Sequence, residues 1–233
     1  MLETIYLVFN EGYSASGGNE MIRYELCEDA MRLTKMLAAS PVIQNKSNVF
    51  AVLSLMLLNA SRFRSRLDGE GNILTLENQD RSLWDKELMN QGFYYLEQST
   101  SDRTVSIYHL LATISAWHCA APDYGSTNWQ GILDMYDHLL LLDRSPLVQL
   151  NRSIAVCKVY GPERALMEVE AIKRNGSFEP NHLFYSTEAE FYLEMADFQK
   201  AVACLQKAIV LSPLEAERAL LKKKLERCLQ NKF

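Results

Sequence analysis

Apolar residues recur at helical spacing along most of the chain. In the first such segment they lie 4, 8, 11 and 15 positions after Ile22, which places them on one face of a helix. Asn19 is the expected N-cap of this helix, and Pro41 lies where the helix should already have ended. The next segment, residues 46–64, is apolar nearly all round at its centre. It is therefore expected to be a helix that is buried on several sides.

The remaining pattern also predicts helices, with one interruption. Residues 68–72 (DGEGN) form the clearest turn signal, and the apolar residues 73–76 after it allow one short hairpin near 68–77. The sequence thus predicts an all-α fold. The further expected helices are residues 81–98, 104–120, 129–142, 146–159, 162–174, 181–195, 198–211 and 214–229.

A repeat of about 34 residues is recognisable in the last third of the chain. Counted from His182 as position 1, small and large apolar residues take the positions that a tetratricopeptide repeat requires for packing two antiparallel helices. The mismatch is Glu188 at position 7, where leucine is usual. The matching residues are Tyr185, Ala189, Tyr192, Ala201, Leu205, Ala208 and Pro213.

A weaker copy precedes this repeat, with Ser153, Val156, Ala165, Val169 and Ile172 at the equivalent positions. Residues 214–229 are then expected to be the polar-faced helix that caps the array. The predicted architecture is a right-handed superhelix of antiparallel helix pairs. Residues 1–100 would form an N-terminal helical part, and residues 101–233 would form the repeats with their C-terminal capping helix.

Composition narrows the class of protein. Apolar residues make up 48% of the chain and charged residues 23%, which is ordinary for a globular protein. The net charge of −5 argues against a surface that binds nucleic acid directly. The five cysteines form no C-x-x-C pair and are expected to be reduced. With no signal peptide and no apolar run long enough to cross a bilayer, we expect a cytoplasmic protein without membrane contact.

No pattern of catalytic or metal-binding residues is present in the sequence. The four histidines lack the spacing of a zinc site, and there is no glycine-rich phosphate loop and no nucleophile elbow. We therefore expect no catalytic residues, no metal and no cofactor, and the prediction is that the chain is not an enzyme.

Three polar stretches, residues 9–13, 62–66 and 79–85, mix charges with aromatic residues. They can be read structurally, with Glu11 paired to the arginines and with Asp80 or Ser82 capping the helix that carries Trp84. They can also be read as converging on one concave polar pocket or partner surface. The candidate binding residues are Asn10, Glu11, Tyr13, Arg62, Arg64, Arg66, Asp80, Arg81 and Trp84.

Several of these stretches resemble a known family. The chain is similar, over about residues 2–225, to the tetratricopeptide-like C-terminal extension of a group of extracytoplasmic-function (ECF) sigma factors. One departure is residues 118–122 (HCAAP), which lack the glutamate of the family's His-Ala-Glu-Ala-Pro stretch. The matching motifs are residues 6–13 (YLVFNEGY), 55–58 (LMLL), 79–85 (QDRSLWD), 136–140 (YDHLL) and 150–156 (LNRSIAV).

The resemblance implies a regulatory, protein-interaction module that modulates transcription initiation. Its implied partners are the promoter-binding sigma domains, core RNA polymerase, or both. The two sigma domains themselves are not recognisable in the 233 residues, so the chain is expected to be an excised domain or a stand-alone relative. Two alternatives stay open: a generic tetratricopeptide adaptor, and a small-molecule or enzymatic pocket built from the stretches around Glu11, Arg64 and Asp80.

Overall fold

The computed structural model describes residues 1–15, 22–102, 104–174 and 180–230. These residues form eleven α-helices and three short 3-10 helices, and they contain no β-strand, which confirms the all-α prediction. The 3-10 helices are Phe63–Ser65, Leu76–Asn78 and Arg81–Leu83. The α-helices are α1 (Leu2–Tyr13), α2 (Tyr24–Ala39), α3 (Ser47–Ala60), α4 (Lys86–Ser99), α5 (Ile107–Ala120), α6 (Trp129–Leu142), α7 (Pro146–Tyr160), α8 (Pro162–Arg174), α9 (His182–Glu194), α10 (Phe198–Leu211) and α11 (Glu215–Gln230).

The chain divides into two compact units. The N-terminal unit, Met1–Asn128, contains α1 to α5, and the C-terminal unit, Trp129–Phe233, contains α6 to α11. Within each unit, successive helices pack as antiparallel pairs. The sequence analysis divided the chain after residue 100 instead. The compact unit extends further because α5 packs against both α3 and α4.

Helix α3 is the centre of the N-terminal unit. Every residue from Ala51 to Leu58 is buried, because α1, α2, α4 and α5 all pack against this helix. The prediction of a helix that is buried on several sides is confirmed. None of the described helices is long and apolar enough to span a membrane.

Helix α1 was not predicted, and its neighbour α2 is oriented differently from the prediction. A Cβ atom on Gly12 would lie 2.7 Å from Cys27 Sγ and 2.9 Å from the Arg23 carbonyl oxygen. Glycine therefore allows α1 and α2 to approach this closely. The buried stripe of α2 includes Cys27 and Thr34, whereas Leu33, which was placed on the buried face, is 41% exposed. The predicted N-cap Asn19 lies outside the described residues.

The segment between α3 and α4 also differs from the prediction. The hairpin expected near 68–77 is reduced to one antiparallel bridge between Leu67 and Ile73, closed by the turn that begins at Asp68. The helix predicted from residue 81 begins at Lys86. The Asp85 carboxylate accepts hydrogen bonds from two backbone N–H groups of α4, so the N-cap lies there. Residues 61–85 are consequently a long non-α-helical connection.

The repeat pattern predicts the packing of the C-terminal unit correctly. Helices α9 and α10 form the pair of the better-matching repeat, and α7 and α8 form the pair of the weaker one. Helix α11 packs on α10, as expected for a capping helix. The small and large apolar residues at the repeat positions that the sequence analysis used are buried: Ser153, Val156, Ala165, Val169, Ile172, Ala189, Ala201, Leu205 and Ala208.

The mismatched position Glu188 has a structural explanation. This residue is 5% exposed, and its carboxylate accepts a hydrogen bond of 2.5 Å from Lys173 Nζ on α8. The Lys173 ammonium also lies 4.7 Å from the centroid of the Tyr185 ring. An ion pair between two helix pairs thus replaces the apolar contact that leucine would make at this position.

We expect Lys173→Met to lower the free energy of unfolding by about 1–2 kcal/mol, because it leaves the buried Glu188 carboxylate without its cation. This value lies between those of exposed and fully buried ion pairs, since the Lys173 side chain is 23% exposed. The matched variant Glu188→Leu restores the residue usual at this repeat position and should cost under about 1 kcal/mol. Urea unfolding followed by circular dichroism measures both changes. A larger loss for Glu188→Leu than for Lys173→Met would contradict this explanation.

Candidate functional site

Three helices of the N-terminal unit end on the same side of it. Because successive helices are antiparallel, α1, α3 and α5 run in the same direction, and their C-terminal carbonyl groups lie at one end. Such carbonyl groups carry partial negative charge and attract cations. The connection formed by residues 61–85 lies across this end and supplies Arg62, Arg66 and Arg81, which we call the helix-end arginines.

Arg66 binds the end of α1. Its Nη1 atom donates a hydrogen bond to the backbone carbonyl oxygen of Tyr13, and its Cζ atom lies 3.7 Å from the centroid of the Tyr13 ring. Arg62 reaches the same tyrosine, because its Nη2 atom donates to the Tyr13 hydroxyl over 3.1 Å and to Asn59 Oδ1 over 2.5 Å. Two guanidinium groups therefore hold one aromatic side chain.

Arg81 binds the end of α5 in the same way. Its Nη1 atom donates hydrogen bonds to the carbonyl oxygens of His118 over 2.6 Å and of Ala121 over 2.8 Å. Its Cζ atom lies 4.5 Å from the centroid of the Trp84 ring. Arg66 and Arg81 thus share one arrangement: each guanidinium group caps a helix C-terminus and contacts an aromatic ring.

The helix-end arginines form no ion pair with any carboxylate of the described residues. Burial is the main cause of a lowered pKa at both Arg66 and Arg81. The pKa of His118 falls to about 3, first because the imidazole is buried and then because Arg62 and Arg81 are near it. These arginines are therefore held by helix ends and aromatic rings without a direct ion pair, while the more distant Asp123 carboxylate raises the pKa of Arg81.

The other candidate residues lie apart from these contacts. Asn10 and Arg64 are exposed, and Glu11 pairs with Arg23 at 3.3 Å instead of with the helix-end arginines. The Asp80 carboxylate accepts a hydrogen bond from the backbone N–H of Ser82 and caps the 3-10 helix that precedes Trp84. Hydrogen bonding from the Ser82 side chain, and then from its backbone N–H, lowers the pKa of Asp80.

The sequence analysis did not identify Asn59, His118 and Ala121 as parts of this arrangement. Asn59 and Arg62 are three residues apart, which is a contact distance on a helix, so this pair was detectable. His118 and Ala121 take part through backbone carbonyl groups, which no side-chain pattern reveals. The structure thus brings Tyr13, Arg62 and Arg66 together in one set of contacts, and Arg81 and Trp84 in another.

The contact between Ser47 and His109 does not have the geometry of a catalytic pair. Ser47 Oγ lies 3.0 Å from His109 Nε2, but the hydroxyl group donates its hydrogen bond to the carbonyl oxygen of Ser99 over 2.6 Å. The His109 Nδ1 atom accepts from the backbone N–H of Ser106. This serine is therefore a buried link between α3 and α5 rather than an activated nucleophile. No group of three or more potential metal ligands occurs among the described residues.

Residues 1–100 match the model of a family of unknown function, DUF6596. The DUF6596 region covers α1 to α4 and contains all nine candidate residues, whereas the carbonyl groups of His118 and Ala121 that Arg81 binds lie beyond it.

The chain is also similar to an uncharacterized protein of Rhizobium meliloti (strain 1021), with 33% identity over 224 residues. That alignment covers 95% of this chain and 52% of the relative, so the chain spans about half the length of the protein it matches. No solved structure matches the chain. Neither the family description nor the relative's name states an activity, so the sigma-factor assignment stays a prediction.

Proposed function

We propose that the chain is a regulatory, protein-interaction module of an ECF-type sigma factor that modulates transcription initiation. The resemblance in motifs along nearly the whole sequence is the origin of this proposal. Its partner would be the promoter-binding sigma domains, core RNA polymerase, or both. No catalytic step is part of the proposal.

The contacts of the helix-end arginines indicate which surface would bind the partner. Arg62, Arg66 and Arg81 are engaged with helix ends and aromatic rings, so this part of the connection has a fixed backbone. Arg64 lies between two of them in sequence, is exposed, and forms no ion pair with the described residues. A rigid base that presents a free guanidinium group is suited to pairing with an acidic side chain of a partner.

The size of the relative agrees with a module of a longer protein. About half of the Rhizobium meliloti protein lies outside the alignment. That length leaves room for further domains, as a sigma factor with a C-terminal extension would need. The proposal for the whole protein rests on the resemblance, not on this length.

The first test is a pull-down of the purified chain with core RNA polymerase and with a separately expressed two-domain sigma fragment. We expect binding to one or both, weakened about tenfold by Arg64→Glu, because a like charge placed against an acidic partner is repelled. Arg227→Glu is the matched control, since Arg227 is an exposed arginine on α11 of the C-terminal unit.

The outcomes of the pull-down distinguish the sigma-factor assignment from the generic adaptor and also test the contact surface. Absence of binding to both partners would contradict the sigma-factor assignment and favour the generic adaptor. Binding that Arg64→Glu and Arg227→Glu leave equally strong would support the assignment and reject the helix-end contact surface.

A further inference from the structure

Three buried hydrogen-bond donors at the helix ends have no partner. Among the described residues, Arg62 Nε, Arg81 Nη2 and Trp84 Nε1 are inaccessible to solvent and form no hydrogen bond. Trp84 is only 4% exposed, so its indole N–H cannot turn to solvent without a change of structure. A buried donor without a partner is destabilising, and three such donors in one part of the fold call for an explanation.

The three donors belong to one cluster. The Arg81 guanidinium group lies over the Trp84 ring. Asn59 Oδ1 accepts hydrogen bonds from both Arg62 Nη2 and Ser115 Oγ. This places Arg62 beside α5, the helix whose C-terminus Arg81 caps. Both arginines also lower the pKa of His118. The Nη1 atom of Arg81 is already used by the end of α5, which leaves Nη2 available to a further acceptor.

The cluster requires a ligand that accepts hydrogen bonds and has no hydrogen-bond donors of its own. The guanidinium and indole N–H groups are donors only. A water molecule would accept two of these bonds but would add two O–H groups that also need acceptors. A carboxylate or phosphate group accepts several bonds and neutralises positive charge, and arginine binds such groups with two N–H bonds.

We infer that Arg62, Arg81 and Trp84 form a binding site for one oxyanion, a carboxylate or a phosphate group. The site goes beyond the proposed function, because it requires neither a sigma factor nor RNA polymerase. The Asp123 carboxylate is near enough to raise the pKa of Arg81, but its Oδ1 atom accepts a hydrogen bond of 2.7 Å from the backbone N–H of Ser126. No carboxylate of the described residues forms an ion pair with Arg62 or Arg81, which leaves the three donors to an external anion. Because the donor atoms are inaccessible to solvent, this anion enters by a local movement of residues 61–85.

The test uses the indole N–H resonances of the full chain in proton–nitrogen NMR spectra. The chain has three tryptophans, and Trp84→Phe identifies the resonance of Trp84. Inorganic phosphate and acetate are titrated separately at constant ionic strength, with chloride as the reference anion. We expect a saturable shift of the Trp84 resonance, while those of Trp117 and Trp129 stay in place as internal controls. A response to acetate alone assigns a carboxylate, and a response to phosphate alone assigns a phosphate group.

Two variants decide whether the arginines form the site. Arg81→Lys keeps the positive charge and a donor to the end of α5 but removes the second nitrogen, so it should weaken binding about tenfold. Arg64→Gln removes an exposed charge from the same connection and should change affinity less than about twofold. The inference is wrong if neither anion shifts the Trp84 resonance, if all three indole resonances shift together, or if Arg81→Lys, with Trp117 and Trp129 signals unchanged, binds like the wild type.

Discussion

Replacement of Arg81 by alanine is expected to lower the free energy of unfolding of the N-terminal unit by about 2–3 kcal/mol. The change removes charged hydrogen bonds to the carbonyl oxygens of His118 and Ala121, together with the contact of the guanidinium group on Trp84. Hydrogen bonds to charged groups contribute about 1.5–3 kcal/mol, and a cation at a helix C-terminus adds up to about 1 kcal/mol at a partly exposed site. The midpoint of urea unfolding should fall accordingly.

The measurement needs a signal from the N-terminal unit alone. In a Trp129→Phe background, the two remaining tryptophans, Trp84 and Trp117, both lie in that unit, so fluorescence reports on it. Arg64→Ala is the matched control, because the exposed Arg64 should change stability by less than about 0.5 kcal/mol. Equal effects of Arg81→Ala and Arg64→Ala would contradict the capping role of Arg81. The loss of Arg81 should also raise the pKa of His118, since this cation is one cause of its low value.

The helical fold was predictable because its pattern lies in local spacing. Apolar periodicity and the small residues of the repeats, such as Ala189 and Ala208, are visible in one sequence, and both are fully buried in the α9–α10 pair. Helix α1 was not predicted because only Phe9 and Gly12 of its residues are buried, which is too few to define an apolar stripe. Its one fully buried large side chain, Phe9, gives little periodic signal.

The start of α4 shows a limit of local reasoning. Asp80 and Asp85 are both good N-cap residues, and each accepts hydrogen bonds from the backbone N–H groups that follow it. Only the second of them begins an α-helix. The backbone N–H of Asp85 donates to the carbonyl oxygen of Ser61 at the end of α3, and this tertiary contact fixes where the chain turns. A single sequence does not show that Asp85 and Ser61 are in contact.

The candidate site was predictable in its residue types but not in its contacts. The stretches that mix charged and aromatic residues contain Tyr13, Arg62 and Arg81, but contacts of the arginines with helix ends replace the expected ion pairs with Glu11. Backbone carbonyl groups become acceptors for arginine only where a helix ends near a connection. The position of these carbonyl groups depends on the antiparallel packing of successive helices, which brings the ends of α1, α3 and α5 together. A single sequence does not show this packing.

The close packing of α3 against α4 gives the second large expected effect. Gly92→Ala should lower the free energy of unfolding by about 2 kcal/mol. The added Cβ atom would lie 2.6 Å from Leu58 Cγ and 2.7 Å from Leu58 Cδ2, while Ser54 Oγ donates to the Gly92 carbonyl oxygen over 2.7 Å. Leu58 is fully buried and packs against Trp84, so it cannot move aside. With two such short contacts, the cost of overpacking lies near the upper end of its usual range, about 3 kcal/mol, and the gain of about 1 kcal/mol from alanine in a helix reduces the net loss to about 2 kcal/mol.

A double-mutant cycle tests this cause directly. Leu58→Ala alone leaves a cavity and is itself destabilising, but it also removes the atoms that the new methyl group would meet. Gly92→Ala in the Leu58→Ala background should therefore cost less than about 0.5 kcal/mol, a coupling of about 2 kcal/mol between the two sites. Gly69→Ala is the control, because nothing lies within 4 Å of the added atom there. Additive effects of Gly92→Ala and Leu58→Ala would mean that the glycine serves the backbone of α4 rather than its approach to α3.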